Sequence, residues 1–223
     1  MKKQHNFKNG IRIYPKLLLP AYDQVALKWF GKFIWRCEAG HYVELYNNNV
    51  TCNHAEIGVG TGYCLDKSQL DPSQSRIALI DLQENCLHYA SSRLARFKPE
   101  TYKRNAYFPI DIGTQHFDSI AICGLLHCLP GEMQDKATVF DAIQSLVKPN
   151  TKVYGYTLVN KGVRNTWRSF MMFKLLRWLK ILNNENDSPS SLLQELKKRF
   201  HHCEVKVIGC LAFFIAEKPI LQS

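Results

Sequence analysis

The sequence predicts an α/β fold: a doubly wound, seven-stranded sheet, mostly parallel, with an antiparallel last strand. Three observations predict it. Apolar strand-like runs alternate with helical patterns across residues 50–160, as in a parallel sheet covered on both faces. Two closing strand-like runs, 203–208 and 210–217, are separated by Gly209 alone, a link that permits an antiparallel hairpin and not a right-handed crossover. A glycine-rich turn, Gly58-Val59-Gly60-Thr61-Gly62, leaves the first strand and feeds a helix that starts near Tyr63. The expected organisation is one domain. It has a helical extension over 1–49, a core over 50–160, a helical insertion after the fifth strand over 161–188, and a closing helix and hairpin over 189–223.

The elements follow in order. The first fifteen residues are polar and basic and read as a loose arm. From 17 to 37, Leu17-Leu18-Leu19, Tyr22, Val25-Ala26, Trp29-Phe30 and Phe33-Ile34 recur at helical spacing, with Pro20 as a break or first turn. Gly40 and the Asn47-Asn48-Asn49 run predict a loop before the first strand, 50–59. The second strand, 76–81, is an apolar run ending in Asp81, and a helix over 83–97 is stopped by Lys98-Pro99. The third strand, 101–104, leaves through the turn 105–109, and the fourth spans 117–123. A helix over 132–147 ends at Lys148-Pro149-Asn150, before the fifth strand, 151–159. A basic, apolar helix is expected over 167–182, a loop over 183–189, and a helix capped by Ser190 or Ser191 that runs to Phe200.

Composition narrows the classes. The 223 residues, 46% hydrophobic and 22% charged, suit a globular domain with a substantial core. No apolar run reaches transmembrane length, and the opening Met1-Lys2-Lys3-Gln4-His5-Asn6 has no signal-peptide core. The eight cysteines stand singly with no Cys-x-x-Cys pair, so free thiols in a reducing cytoplasm are expected, with no disulfide framework and no metal site. The formal charge of +10 is not focused in one basic block, which favours a solvated basic surface over a nucleic-acid footprint without closing the latter reading. Oligomeric state is left open.

The chemistry concentrates at strand ends. In open α/β sheets ligands bind outside the carboxyl ends of the strands, and here those ends carry Glu56 to Gly62, Asp81, Asn105-Ala106 and Cys123-Gly124. Glycines let a ligand approach the main chain closely, and the N–H groups opening the next helix favour a carboxylate or phosphate. A dinucleotide fingerprint wants its third glycine where this chain has Tyr63, and the Gly-Lys-Ser/Thr of a phosphate loop is absent. Asp81, nineteen positions after Gly62 at the end of the next strand, is placed to accept both hydroxyls of an adenosine ribose.

The ordered series Glu56-x-Gly58-x-Gly60-x-Gly62, Asp81, the turn at Asn105, and Phe117-Asp118-Ser119-Ile120 resembles the class I methyltransferases, Rossmann-like enzymes that use S-adenosyl-L-methionine (SAM) and release S-adenosyl-L-homocysteine (SAH). The resemblance implies that Glu56 orients the loop and the amino group of SAM. It implies that Gly58, Gly60, Thr61 and Gly62 run along its methionine part, Asp81 holds the ribose, and Leu82 lies against the adenine. The segment from Cys123 to Pro130 would pass the methyl end. Many members carry Asp where this chain has Asn105; the amide carbonyl can accept the same bond from the adenine amine, with Ala106 beside it, and Asp111 is a second candidate that Pro109 and Ile110 place beyond the pocket. Tyr22, on the amino-terminal helix, is the expected aromatic cofactor contact.

No catalytic residue comes with the resemblance. Methyl transfer is an in-line displacement that positioning can largely accelerate, and a general base is needed only if the acceptor must lose a proton. His127, just after the fourth strand, is the candidate base, with packing under the loop as its competing role. The acceptor is expected to be a small molecule attacked at oxygen, nitrogen or carbon. RNA or protein methylation guided by the basic surface is the second reading, and a non-catalytic SAM-binding scaffold the third. For the insertion, an active-site lid or a packed helix is favoured over a helix lying on a membrane surface.

Overall fold

The computed structural model describes residues 19–113 and 116–220; the expected amino-terminal arm, with Leu17 and Leu18, lies outside them. Seven strands form one sheet in the order β3-β2-β1-β4-β5-β7-β6. These are β1 (Asn53–Ile57), β2 (Arg76–Asp81), β3 (Glu100–Lys103), β4 (Ser119–Cys123), β5 (Lys152–Leu158), β6 (Phe200–Ile208) and β7 (Leu211–Pro219). The first five are parallel, and β7 lies antiparallel between β5 and β6. Strand order reverses between β1 and β4, which opens a crevice over their carboxyl ends.

Side chains alternate across the pleat, so each central strand feeds two cores. On β2, Ile77 and Leu79 join one cluster and Ala78 and Ile80 the other. The first cluster is covered by α2 (Ala39–Asn49), the single turn α3 (Tyr63–Asp66), α4 (Glu84–Arg93) and α7 (Trp167–Trp178), through Tyr42, Tyr46, Leu65, Leu87, Ala90 and Phe173. The second is covered by α5 (Met133–Lys136), α6 (Thr138–Ala142) and α8 (Pro189–Lys197), through Met133, Phe140, Leu192 and Leu196. Gly155 sits at a close approach within the sheet: a Cβ there would lie 2.0 Å from the Ile122 carbonyl oxygen and 2.7 Å from the Phe214 ring. Gly155→Ala is therefore expected to cost about 3 kcal/mol or more, read by urea denaturation, since backbone on one side cannot give way.

Several elements differ from the sequence expectation; the closing helix, for one, ends at Lys197 and β6 already begins at Phe200. The 17–37 helix is described from α1 (Leu19–Tyr22) and continues as a wide π-type helix over Asp23–Trp35. The loop expected around Gly40 and Asn47 to Asn49 is helix α2, because Tyr42, Leu45, Tyr46 and Asn49 fall on one buried face and the Asn49 amide donates to the Leu45 carbonyl at 2.7 Å. The single helix over 132–147 is α5, α6 and a 3₁₀ turn at Gln144–Leu146; that tighter spacing eclipses i and i+3 and brings Ile143 and Leu146 together into the core. α7 stops at Trp178, with Lys180 in the left-handed region at φ 57°. α8 is capped by Ser188, whose hydroxyl accepts the Ser191 N–H, with Pro189 at the first helical position.

Candidate active site

A cavity of about 920 Å³ opens over the carboxyl ends of β1, β2, β4 and β5, in the crevice where strand order reverses. Tyr22, Glu56, Gly58, Gly60, Thr61, Gly62, Asp81, Leu82, Asn105, Ala106, Cys123 and His127 all line it. The volume lies at the upper end of the range for small-molecule sites, roughly 300–1,000 Å³, and leaves room for two ligands side by side.

The glycine turn forms the floor. Gly58, Gly60 and Gly62 have φ of 74°, 54° and 69°, a region that excludes ordinary side chains. A Cβ on Gly58 would crowd Leu125, and one on Gly62 would crowd Leu94 and Ala90, both at 3.1 Å at closest. At Gly60 a Cβ meets no protein atom within 4 Å and would occupy open space, so the main chain itself is what the loop presents. Asp81 closes one side. Its Oδ1 accepts the Gln83 N–H at 2.8 Å, and its Oδ2 lies 3.5 Å from the Gly60 nitrogen. Burial raises the carboxyl pKa, and the N–H groups of Gln83, Gly60, Leu82 and Val59 oppose the rise.

Thr61 is held from beneath: its hydroxyl donates to Asp23 at 2.6 Å and its carbonyl accepts from Arg93 at 3.0 Å. Asp23 and Arg93 are themselves paired at 2.6 Å, which clamps the amino-terminal helix onto the loop. The pairing joins residues 70 positions apart, and no local signal marks either as part of the site.

Glu56 shares its sheet face with His54, since Ala55 and Ile57 point to the opposite core. The Tyr46 hydroxyl donates to Glu56 Oε1 at 2.5 Å, and His54 Nε2 meets Oε2 at 3.2 Å. His54 Nδ1 in turn lies 2.9 Å from the Ser119 hydroxyl. His54 does not itself stand at a strand end, but it is a fully buried support for the acid that does.

Opposite, Asn105 accepts the Tyr107 N–H on its side-chain oxygen at 3.0 Å, and the Tyr107 hydroxyl donates to the Pro130 carbonyl at 2.8 Å. This ties the exit of β3 to the loop after β4. Asp111 does not line the cavity.

His127 is buried, and its Nδ1 accepts the Leu158 N–H at 3.1 Å with the Thr157 hydroxyl at 3.2 Å. Burial, reinforced by the nearby Lys136 charge, lowers its pKa to about 3. The ring is therefore neutral at pH 7, with its proton on Nε2 and its basic nitrogen occupied. Burial raises the Cys123 thiol and the Tyr46 and Tyr156 phenols well above their ordinary values, so these too are neutral. Beyond the loop, the cavity wall turns apolar: Val25 and Phe30 from the wide helix, Leu176, Ile181 and Leu182 from α7 and its exit, and Leu158 from β5. Tyr42 and Tyr156 pack at 4.7 Å beside it.

The comparisons with known proteins agree with this geometry. A family model for a methyltransferase domain matches residues 55–153. The chain is 33% identical to a physcion biosynthesis cluster O-methyltransferase from Aspergillus chevalieri, covering 99% of this chain and 100% of the relative. It is 29% identical to a demethylluteothin O-methyltransferase from Streptomyces thioluteus, over 91% of this chain and 88% of that one. Among solved structures, an O-methyltransferase family protein from Burkholderia thailandensis superposes with a TM-score of 0.67 at 14% identity, covering 92% of this chain and 60% of the other. The N-methyltransferase NodS from Bradyrhizobium japonicum WM9, in complex with SAH, gives 0.58 at 14% identity over 90% and 97%. With the glycine floor, the acid at the end of β2 and the antiparallel β7, this likeness along the whole chain leads to one assignment: the protein belongs to the class I SAM-dependent methyltransferases.

Proposed function

We propose that this methyltransferase transfers the methyl group of SAM to a hydroxyl oxygen of an apolar, ring-bearing small molecule. The observation that carries this reading is the apolar half of the cavity, which continues from the glycine floor to the wall of Val25, Phe30, Leu176 and Ile181. The O-methyltransferase names of the two relatives favour oxygen over nitrogen or carbon.

When bound, SAM supplies the methyl as an electrophile on a sulfonium sulfur. Asp81 would accept the ribose hydroxyls, and Leu82 and Ala106 would flank the adenine, with the second lone pair of the Asn105 oxygen free for its amine. Gly58 to Gly62 would carry the methionine part along the main chain, and Cys123 would pass its methyl end. Glu56, already held by Tyr46 and His54, would take the amino group as a fixed acceptor. Tyr22 would cover the cofactor from the amino-terminal helix. A reducing cytoplasm suits the eight cysteines, which all lie among the described residues with none in a disulfide.

The proton is handled by the acceptor itself in this reading. Among the described lining residues, Glu56, Asp81 and His127 are the carboxylates and the imidazole, and each already holds a donor. His127 is thus better suited to bracing the strand end than to acting as a base. The acceptor would enter as an ionised phenol or enol and be aligned by the apolar wall. Activity should rise with pH as the acceptor hydroxyl ionises, and His127→Asn should leave the midpoint of that rise unmoved. A base role would instead show as a loss of about 10²- to 10⁴-fold with the rise abolished.

The function is tested by adding SAH and then a panel of acceptors. SAH should stabilise the protein thermally, and methyl-labelled SAM should deliver label to phenolic or enolic acceptors. Label appearing on RNA or protein and on none of the panel would overturn the small-molecule reading.

A further inference from the structure

The outer face of α7 is built unlike the surface of a helix that only covers a cavity. Its inner face is accounted for: Ser169 and Phe173 are buried, and Met172 and Leu176 pack on the core. Residues Trp167, Phe170, Met171, Leu175 and Trp178 fall at spacings of three and four on the opposite side and are exposed, the two tryptophans at 74% and 78%. A helix with one covered face should place polar residues here. A neighbouring exposed stripe, Val25, Trp29 and Phe33, runs along the wide helix, which packs on α7 through Trp35 and Phe173 at 4.8 Å.

The charge around the stripe has one sign. Residues 161–184 contain no Asp or Glu and six basic residues; Arg177 lies over the buried Phe173 ring and Lys180 lines the cavity, while Lys161, Arg164, Arg168 and Lys174 are exposed. Lys174 and Arg168 lie over the rings of Phe170 and Trp167, so the cations are interleaved with the exposed aromatics and not segregated from them. A protein partner with an apolar face would match the stripe but leave the exposed cations in search of acids. A second copy of this face would oppose like charges. An anionic bilayer surface satisfies both features, because its acyl boundary takes Trp, Phe and Met while its headgroups take Lys and Arg.

We propose that α7 docks this enzyme on anionic membrane surfaces, with Trp167, Phe170, Met171 and Trp178 in the interface. The cavity wall at Leu176 and Ile181 is the inner side of the same segment, so an apolar acceptor dissolved in the bilayer would meet the cavity next to the docking helix.

The test is co-flotation of the full chain with vesicles of phosphatidylcholine, with and without phosphatidylserine, at low and high salt. Binding is expected only with phosphatidylserine and should fall as salt rises. Trp167→Ser with Trp178→Ser should abolish it. Arg168→Glu with Lys174→Glu should weaken it roughly tenfold or more, at about a tenfold change for one or two surface charges. Both variants should keep the thermal stabilisation by SAH, which shows that the fold and the cofactor site are intact. Absence of binding to phosphatidylserine vesicles overturns the proposal, as does binding unchanged by the tryptophan pair. If the tryptophan pair instead converts a dimer to a monomer in light scattering and the vesicles capture nothing, the face is a contact between copies and the proposal fails.

Discussion

Asp81→Ala is expected to weaken SAH binding by about two orders of magnitude, measured by isothermal titration calorimetry. Hydrogen bonds to a charged group contribute about 1.5–3 kcal/mol each, and in the proposed mode the carboxylate accepts two ribose hydroxyls, which sets the loss at about 3 kcal/mol. The same carboxylate accepts the Gln83 N–H at the start of α4, and losing that cap should lower stability by about 1 kcal/mol. The two effects separate in Asp81→Asn, which keeps an oxygen for Gln83 but lacks the charge, and should fold like the parent while binding SAH weakly. The pH dependence gives a further check. Burial raises the pKa of Asp81 in the free protein, and in the proposed mode the ribose hydroxyls would favour its ionised form. Affinity should therefore fall as pH is lowered through that raised pKa, and Asp81→Asn should remove this part of the dependence. Unchanged affinity in Asp81→Ala would show that the ribose is held elsewhere.

The sites that were legible in the sequence are those whose chemistry is local. Three glycines at alternate positions need left-handed backbone, and an acid at a strand end needs a ligand or a cap; both features can be read without knowing what packs on them. The strands were readable for the same reason, since buried parallel strands are continuous apolar runs. What was hidden depends on distant partners. Asn47 to Asn49 read as a loop until Tyr42, Leu45 and Tyr46 found a sheet face to bury against, and tertiary packing then outweighed poor helix propensity. His54 gave no signal because its meaning comes from Ser119, 65 residues away, and from Glu56. Asp23 and Arg93 become a clamp on Thr61 only when the amino-terminal helix lies across the loop. His127 is the instructive case. Its position after β4 and its ordinary pKa made it the candidate base, yet the chain supplies it with the Leu158 N–H and a cation nearby, neither of which can be read from its neighbours in sequence.

That cation leads to the largest stability effect expected outside the sheet. Lys136 and Asp187 are 0% and 1% exposed and pair at 2.6 Å, and Lys136 also donates to the Asn183 carbonyl at 2.5 Å. Asn183 N–H donates to the His127 carbonyl, while the Asp187 carbonyl accepts from Asn160 and Lys161, so this pair fastens the segment after α7 to the cavity and to the exit of β5. Removing one member strands a buried charge, and Lys136→Met should cost about 3–5 kcal/mol in urea denaturation at neutral pH. Burial raises the pKa of Asp187, opposed by Lys136. Without the lysine the carboxyl can escape by taking up a proton, so the deficit should shrink as pH falls through the raised pKa. The double replacement Lys136→Met with Asp187→Leu should recover much of the stability, because two apolar groups of similar volume leave no buried charge unpaired. The double variant still lacks the donor to Asn183, and that contact holds the segment carrying Ile181 and Leu182. Its KM for the acceptor should therefore rise while its affinity for SAH stays near the parent's. A single variant that loses less than about 1 kcal/mol would mean the pair is solvated and the segment held by Asn183 and Asn184 alone.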